Sequence, residues 1–254
     1  MKTKILIILC VVVITACKKK ETENVPKVEQ KTFISKQVYT IGTYTWNYDT
    51  NNQLSTIVFA SANEASNGSS TYIINSVNSK GAIVDALEDR VSPTLIDYRY
   101  VNTYNSEGNL VRTNFFNNAT GASAGYTTLE YLSNNQIKQT SFNASNEANQ
   151  TAIYTLSTDG KNVIEQRSYT SAGVLNHTYV YSNFDTKKTA SSLYPKGYAT
   201  SPFSENNFQS QSLILGTAGV PTNVTYTYEY NSEGYRTKRT SSSGVFDTVE
   251  YIKK

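Results

Sequence analysis

The chain has 254 residues, with 23 basic and 20 acidic side chains and one histidine, for a formal charge of +3 at neutral pH. That balance lacks the basic footprint of a nucleic-acid binder, and one histidine with two cysteines excludes a His/Cys zinc centre. Twenty tyrosines, in a chain rich in Thr, Ser and Asn, favour strands joined by turns.

The first segment reads as a leader. Lys2 and Lys4 precede the apolar run Ile5–Ile14, too short to span a bilayer as a stable anchor. The run closes in Ile14-Thr15-Ala16-Cys17. These residues resemble a bacterial lipobox. The resemblance implies a lipoprotein signal peptide over 1–16, with Cys17 as the lipidated mature N-terminus and the lipid as the link to a membrane. An ordinary secretory leader with a coincidental cysteine is the competing reading. Cys10 leaves with the leader, so the mature chain has neither disulfide nor free thiol. Loss of Lys2 and Lys4 leaves 21 basic against 20 acidic residues, a charge of about +1.

Residues 17–31 read as a lipidated start and a disordered tether, because Lys18-Lys19-Lys20-Glu21-Thr22-Glu23-Asn24 is charged and poor in apolar groups. Lysine followed by acid beside such a cysteine also resembles the surface-export signals of Bacteroidetes lipoproteins. That implies an outer-membrane location, lipid-anchored and facing outward.

Residues 32–254 repeat one phrase as a single β domain. Tyr104 leads into Asn105-Ser106-Glu107-Gly108 and then Asn109-Leu110; Tyr230 leads into Asn231-Ser232-Glu233-Gly234. Degenerate copies start at Tyr48, Val77, Tyr131, Leu156 and Tyr181. Each places an aromatic or apolar residue at the last inward strand position. Four turn residues follow, the fourth of a type that tolerates positive φ. Leu or Ile then opens the return strand. A period of about 26 residues fits two strands and two turns, or roughly fourteen strands in all. So many strands must curl, so the expected fold is all-β: repeated antiparallel hairpins, a meander rolled into an open barrel or superroll.

The phrase resembles the YD repeats of Rhs-type proteins, and the stretch Pro221–Tyr235 is similar to Bacteroidetes lipoproteins of unknown function with YD-like repeats (the DUF4595 type). The resemblance implies repeated hairpins and carries no catalytic residues.

Residues 187–221 break the repeat. They hold Pro195, Pro202 and Pro221 with Tyr194, Tyr198, Phe203 and Phe208. The stretch reads as a segment capping one open end, or else as a ligand-gating loop; Ser204–Leu215 suits a short helix. Arg236 stands where other copies place Leu or Ile, which suits a terminal hairpin near an edge.

Little points to catalysis. His177 reads as a strand residue directed to solvent, and no nucleophile motif accompanies it. Glu107 and Glu233 occupy turns. Asp85, Glu88 and Asp89 lie in a loop or brief helical turn, which leaves an acidic calcium site open. Trp46 sits in Tyr44-Thr45-Trp46-Asn47-Tyr48, either as core of the first hairpin, the reading preferred here, or as a sugar-stacking platform. Trp46, Tyr194, Tyr198 and Phe203 are the candidate ligand contacts.

The expectation is a non-enzymatic envelope protein without cofactor, binding or scaffolding a glycan, a peptide or an envelope partner. A purely structural component is the alternative, and a carboxylate-dependent hydrolase is a third. An accessible aromatic groove separates the first from the second; two carboxylates converging in one cleft would mark the third.

Overall fold

The computed structural model describes residues 30–63, 68–92 and 94–254. The leader, Cys17 and the tether as far as Glu29 lie outside the described residues. The strands are β1 (Thr32–Tyr39), β2 (Gly42–Tyr48), β3 (Leu54–Ser61), β4 (Ser70–Val77), β5 (Ile83–Arg90), β6 (Tyr98–Tyr104), β7 (Leu110–Asn117) and β8 (Ser123–Leu132). They continue with β9 (Gln136–Phe142), β10 (Ala148–Leu156), β11 (Val163–Thr170), β12 (Leu175–Lys188), β13 (Asn206–Leu215), β14 (Thr222–Tyr230), β15 (Arg236–Ser241) and β16 (Phe246–Lys253). Each pairs antiparallel with its sequence neighbours, and β16 pairs back onto β1. The rolled meander is therefore present, with sixteen strands rather than about fourteen. It closes into a barrel, which removes the edges an open roll would expose.

The repeat phrase owes its shape to one side chain. At the first turn position Asn105 Oδ1 accepts the backbone N–H of Glu107 at 3.1 Å and of Asn109 at 2.9 Å. Asn231 does the same for Glu233 and Tyr235, both at 3.0 Å, and Asp49 for Asn51 and Gln53, both at 2.8 Å. An Asx carboxyl or amide oxygen thus satisfies two amides that the ladder leaves free. The fourth turn residue then takes positive φ: 61° at Asn52, 75° at Gly81, 81° at Gly108, 56° at Asn135 and 81° at Gly234.

These turns fix register. The last inward residue pairs with the first inward residue of the return strand in Tyr48↔Leu54, Val77↔Ile83, Tyr104↔Leu110, Tyr131↔Ile137 and Tyr230↔Arg236. The tyrosine hydroxyls bind neighbouring strands as well. Tyr104 donates to the Ile83 carbonyl at 2.6 Å and Tyr131 to the Leu110 carbonyl at 3.1 Å. Phenylalanine would leave those carbonyls without this donor. Leu110, Ile137 and Val163 form one core cluster with Leu129 and Tyr154; Ile34, Trp46, Ile57 and Val249 form another. Full burial of each aliphatic contributes about 1.5–3 kcal/mol.

Several local expectations change. Ser182–Asp185 is not a turn, because β12 runs on to Lys188 and takes the irregularity at Asn183, φ 55°. Ile83–Arg90 is strand β5, not a loop or helical turn. Its alternation sends Asp85 outward to Arg99 and Glu88 inward to Tyr100. Asn206–Leu215 is strand β13, so the expected helix at Ser204–Leu215 is absent. Arg236 faces inward, 7% exposed, between two paired neighbours rather than at an edge.

Inside and outside differ in chemistry. The outer wall carries Lys36–Glu250, Lys138–Glu130, Arg167–Glu165 and Lys238–Glu229 ion pairs at 2.9–3.7 Å. A barrel that spans a membrane needs an outward apolar band about 25 Å tall. This wall, with Lys36, Lys138 and Arg167 in the middle of their strands, is one that faces water.

Candidate functional site

Sixteen strands enclose more space than their own side chains fill, as wide barrels generally do. Here the connection between β12 and β13 occupies the interior. Residues 189–205 begin with a 3-10 turn, Ala190–Leu193, whose start is capped by Thr189 Oγ1 accepting the Ser192 amide at 3.2 Å. The segment then touches much of the circumference. Tyr194 donates to Gln37 Oε1 on β1 at 2.6 Å. The Lys196 carbonyl accepts the Ile83 amide of β5 at 2.9 Å, and the Gly197 carbonyl accepts Asn102 Nδ2 of β6 at 3.0 Å. Thr200 Oγ1 accepts Gln139 Nε2 of β9 at 3.1 Å, Ser201 Oγ accepts the Tyr154 hydroxyl of β10 at 3.1 Å, and Ser204 Oγ accepts the Val163 amide of β11 at 3.0 Å. This is a plug, held by backbone and small polar groups rather than by a helix. Of the 187–221 stretch expected to cap an end, 189–205 thus lies within the lumen and 206–215 belongs to its wall.

The four candidate aromatics meet at this plug. Trp46 of β2 stacks on Tyr194 at 4.8 Å between centroids and meets Tyr198 edge-on at 5.1 Å. Tyr194 meets Phe203 at 5.2 Å. Trp46 is 4% exposed and its indole N–H has no hydrogen-bond partner, whereas Phe203 is 42% exposed. Trp46 therefore supports the plug from behind, while Phe203 presents its ring. Phe203 and Tyr194 both line three cavities, of about 340, 260 and 260 Å³. The largest runs between the plug and β10–β15, beside Tyr154, Tyr181, Phe208, Gln166, Gln211, Arg236 and Arg239.

Burial pushes the tyrosine hydroxyls of this interior upward. Tyr72, Tyr198 and Tyr194 are raised mainly by desolvation, Tyr194 further by the field of Tyr39. Tyr100 is raised by burial and by its bond to Glu88. All remain protonated donors at neutral pH. The inward carboxylates already have partners: Glu88 takes Tyr100 and Arg90, and Asp247 takes Arg236 and Arg239.

Other expectations resolve simply. His177 is half-buried, not directed to solvent. It shares strand parity with Tyr179, meets that ring at 5.1 Å and pairs with buried Ser168. Glu233, on its turn, bonds Lys253 and Thr32. No group of three or more metal-ligating side chains occurs among the described residues.

The pair Arg236/Arg239 with Asp247 escaped sequence reasoning. Its signal was present: a charged residue at the repeat's inward Leu/Ile position, and an aspartate at an inward position on the next strand.

The geometry defines a closed, plugged, aromatic-lined β-barrel. No protein-family model matches the chain, and no curated protein does. Two solved structures are similar to the chain at low identity. A porin-like protein from Bacteroides uniformis is 12% identical, covering 87% of this chain and 98% of its own, with a TM-score of 0.40. A porin-like protein from Bacteroides vulgatus is 8% identical, covering 87% of this chain and 99% of its own, also at 0.40.

Proposed function

We propose that this is a lipid-anchored envelope protein that binds a small ring-bearing ligand in the barrel lumen without catalysis. The observation that carries this reading is the inversion of the wall: ion pairs outside, aromatic rings and cavities inside. Cavities of a few hundred Å³ lined by aromatics and a few polar groups are the usual form of a small-molecule site. The leader and Cys17 support the anchor. The chain enters β1 at the plugged end, where Lys31 pairs with Lys254 and Thr32 bonds Glu233 of a repeat turn.

A glycan and peptide array on the mature domain tests the reading, with Trp46 fluorescence as the reporter because it is the one tryptophan. A ligand that shifts the emission and loses about tenfold or more in affinity on Phe203→Ala supports lumen binding. No ligand and no shift would leave a structural role. Cys17→Ser should release the protein from the membrane fraction; unchanged fractionation would remove the anchor.

A second reading, scaffolding of an envelope partner, is favoured by one feature. Exposed Ile41, Val91, Val174, Leu215, Val220 and Phe246 sit at or beside the connections opposite the plug. If Val220→Ser with Leu215→Ser abolishes co-purification of an envelope partner but spares ligand binding, scaffolding is the better account.

A further inference from the structure

A charged cluster stands at β15–β16, apart from the apolar mouth and the Glu88–Tyr100 corner. Arg236 Nη2 lies 2.9 Å from Asp247 Oδ1, and Arg239 Nε lies 2.6 Å from Asp247 Oδ2. Two guanidinium groups therefore share one carboxylate. Asp247 is 1% exposed and Arg236 7%. Both arginines line the 340 Å³ cavity; no carboxylate does. Asp185, half-buried on β12, already accepts Tyr230 and the Asn207 amide.

A buried cation without its own counter-ion is expensive. Arg236 Nε and Asp247 Oδ1 are both buried with no hydrogen-bond partner, so the ion pair between them is not closed by hydrogen bonds at these atoms. The positive charge reaches the cavity wall at Tyr228, whose hydroxyl burial raises and Arg239 and Arg236 pull down. Around the cluster stand rings suited to stacking (Tyr194, Phe203, Phe208 and Tyr228) and the neutral amides Gln166 and Gln211.

We propose that this cavity takes an anionic ligand, a carboxylate carried on a ring, with Arg239 and Arg236 as its counter-charge and Phe203 and Tyr228 as its walls. The proposal rests on lumen binding and adds its charge selectivity. Guanidinium groups match a carboxylate with paired donors, and the aromatic walls match a sugar or aryl ring. The ligand carboxylate is the fourth charge, and it balances a +1/−1/+1 cluster that is otherwise one anion short.

The test titrates the mature domain, followed by Trp46 emission and calorimetry. Four probes are used: digalacturonate, its neutral counterpart digalactose, phenylacetate and inorganic sulfate. Selective binding of a carboxylated probe, weakened roughly tenfold by Arg239→Gln and retained in part by Arg239→Lys, is the expected result. Digalacturonate alone would identify a uronic-acid sugar, and phenylacetate alone an aryl acid. Equal binding of digalactose and digalacturonate, unaffected by Arg239→Gln, overturns the charge selectivity and leaves lumen binding standing. Binding of sulfate alone, or of none of the four, also overturns it; only an array without hits removes lumen binding as well. Arg239 is partly exposed, 30% for its side chain, and a melting curve of each variant separates lost binding from lost fold.

Discussion

The connections at one end of the barrel solve the same problem in two ways. Between β6 and β7 the chain reverses in four residues, organised by Asn105 and closed by Gly108 at φ 81°. Between β12 and β13 it spends residues 189–205 and enters the lumen. The short turn is held by its own atoms: Asn105 Oδ1 satisfies two amides two and four residues ahead. The plug satisfies its backbone on the walls at Ile83 and Asn102, and its Ser204 hydroxyl takes the Val163 amide. Local turns set register and could recur anywhere in the sheet. The plug works only once the barrel exists, and the barrel core is complete only once the plug is in it, as Ala190 at 1% exposure shows.

The two glycines at the heart of each device sharpen that contrast most. Gly197 has φ 87°, and a Cβ there would stand 2.2 Å from the Tyr104 hydroxyl, 2.6 Å from Asn102 Nδ2 and 2.8 Å from the Ile83 carbonyl. Gly108 has φ 81°, but its Cβ would meet only the Lys80 side chain, 3.2 Å from Nζ. Gly197→Ala should therefore cost roughly 2–4 kcal/mol, strain plus broken wall contacts, and Gly108→Ala only about 1 kcal/mol of strain. Urea titration measures both. Gly197→Ala alone should also red-shift Trp46, because Tyr194 leaves its face. Equal costs at the two glycines would mean that the plug is no more than a long turn.

That difference also explains what was legible beforehand. The repeat could be read because its causes are local: an Asx acceptor, a residue tolerant of positive φ, and an apolar residue two places on. The strand pairs Tyr104↔Leu110 and Tyr131↔Ile137 follow directly. The four aromatics gathered at the plug were visible as aromatics, but their meeting was not, because Trp46 and Tyr194 are 148 positions apart and joined only by closure. The inward Arg236 was misread for the same reason. In an open sheet a charge at an inward position marks an edge; in a closed one a charge at that position faces the lumen. Its partner Asp247 lies on the next strand, outside the repeat phrase.

Alkali should dissolve both devices, by a smaller and more gradual effect. Tyr48, stitched to the Ile34 carbonyl, and Tyr104, stitched to Ile83, are raised by burial from an ordinary 10.0 to about 12. A hydroxyl whose folded pKa is raised favours the folded state while it is protonated. Its contribution is whole below about pH 10 and is lost as the pH climbs toward 12. Denaturant midpoints should hold up to pH 10 and fall above it, with tyrosinate absorbance rising as the protein unfolds. Tyr104→Phe should blunt the fall by removing one such group, at the cost of a bond to Ile83. A midpoint that stays flat from about pH 10 to 12 would show that these hydroxyls titrate alike in the folded and unfolded chains.

The smallest effect comes from mending a turn rather than breaking one. Asn52 holds φ 61° where the copy at Gly108 has glycine. Asparagine tolerates that region better than other side chains but still carries a Cβ penalty. Asp49 already fixes the turn through Asn51 and Gln53, so the Asn52 side chain is not needed there. Asn52→Gly removes the penalty and adds backbone freedom to the unfolded chain, two terms of similar size and opposite sign. The net should be a stabilisation of a few tenths of a kcal/mol. The turn's conformation is dictated locally, so the gain should appear at any copy with asparagine in fourth place, and Asn135→Gly is the control. There Asn135 Nδ2 also reaches the Ser157 and Thr158 carbonyls at 3.4 Å, so that gain should shrink toward zero. A larger gain at Asn135 than at Asn52 would mean that contacts between turns, not the turn's own atoms, set the cost.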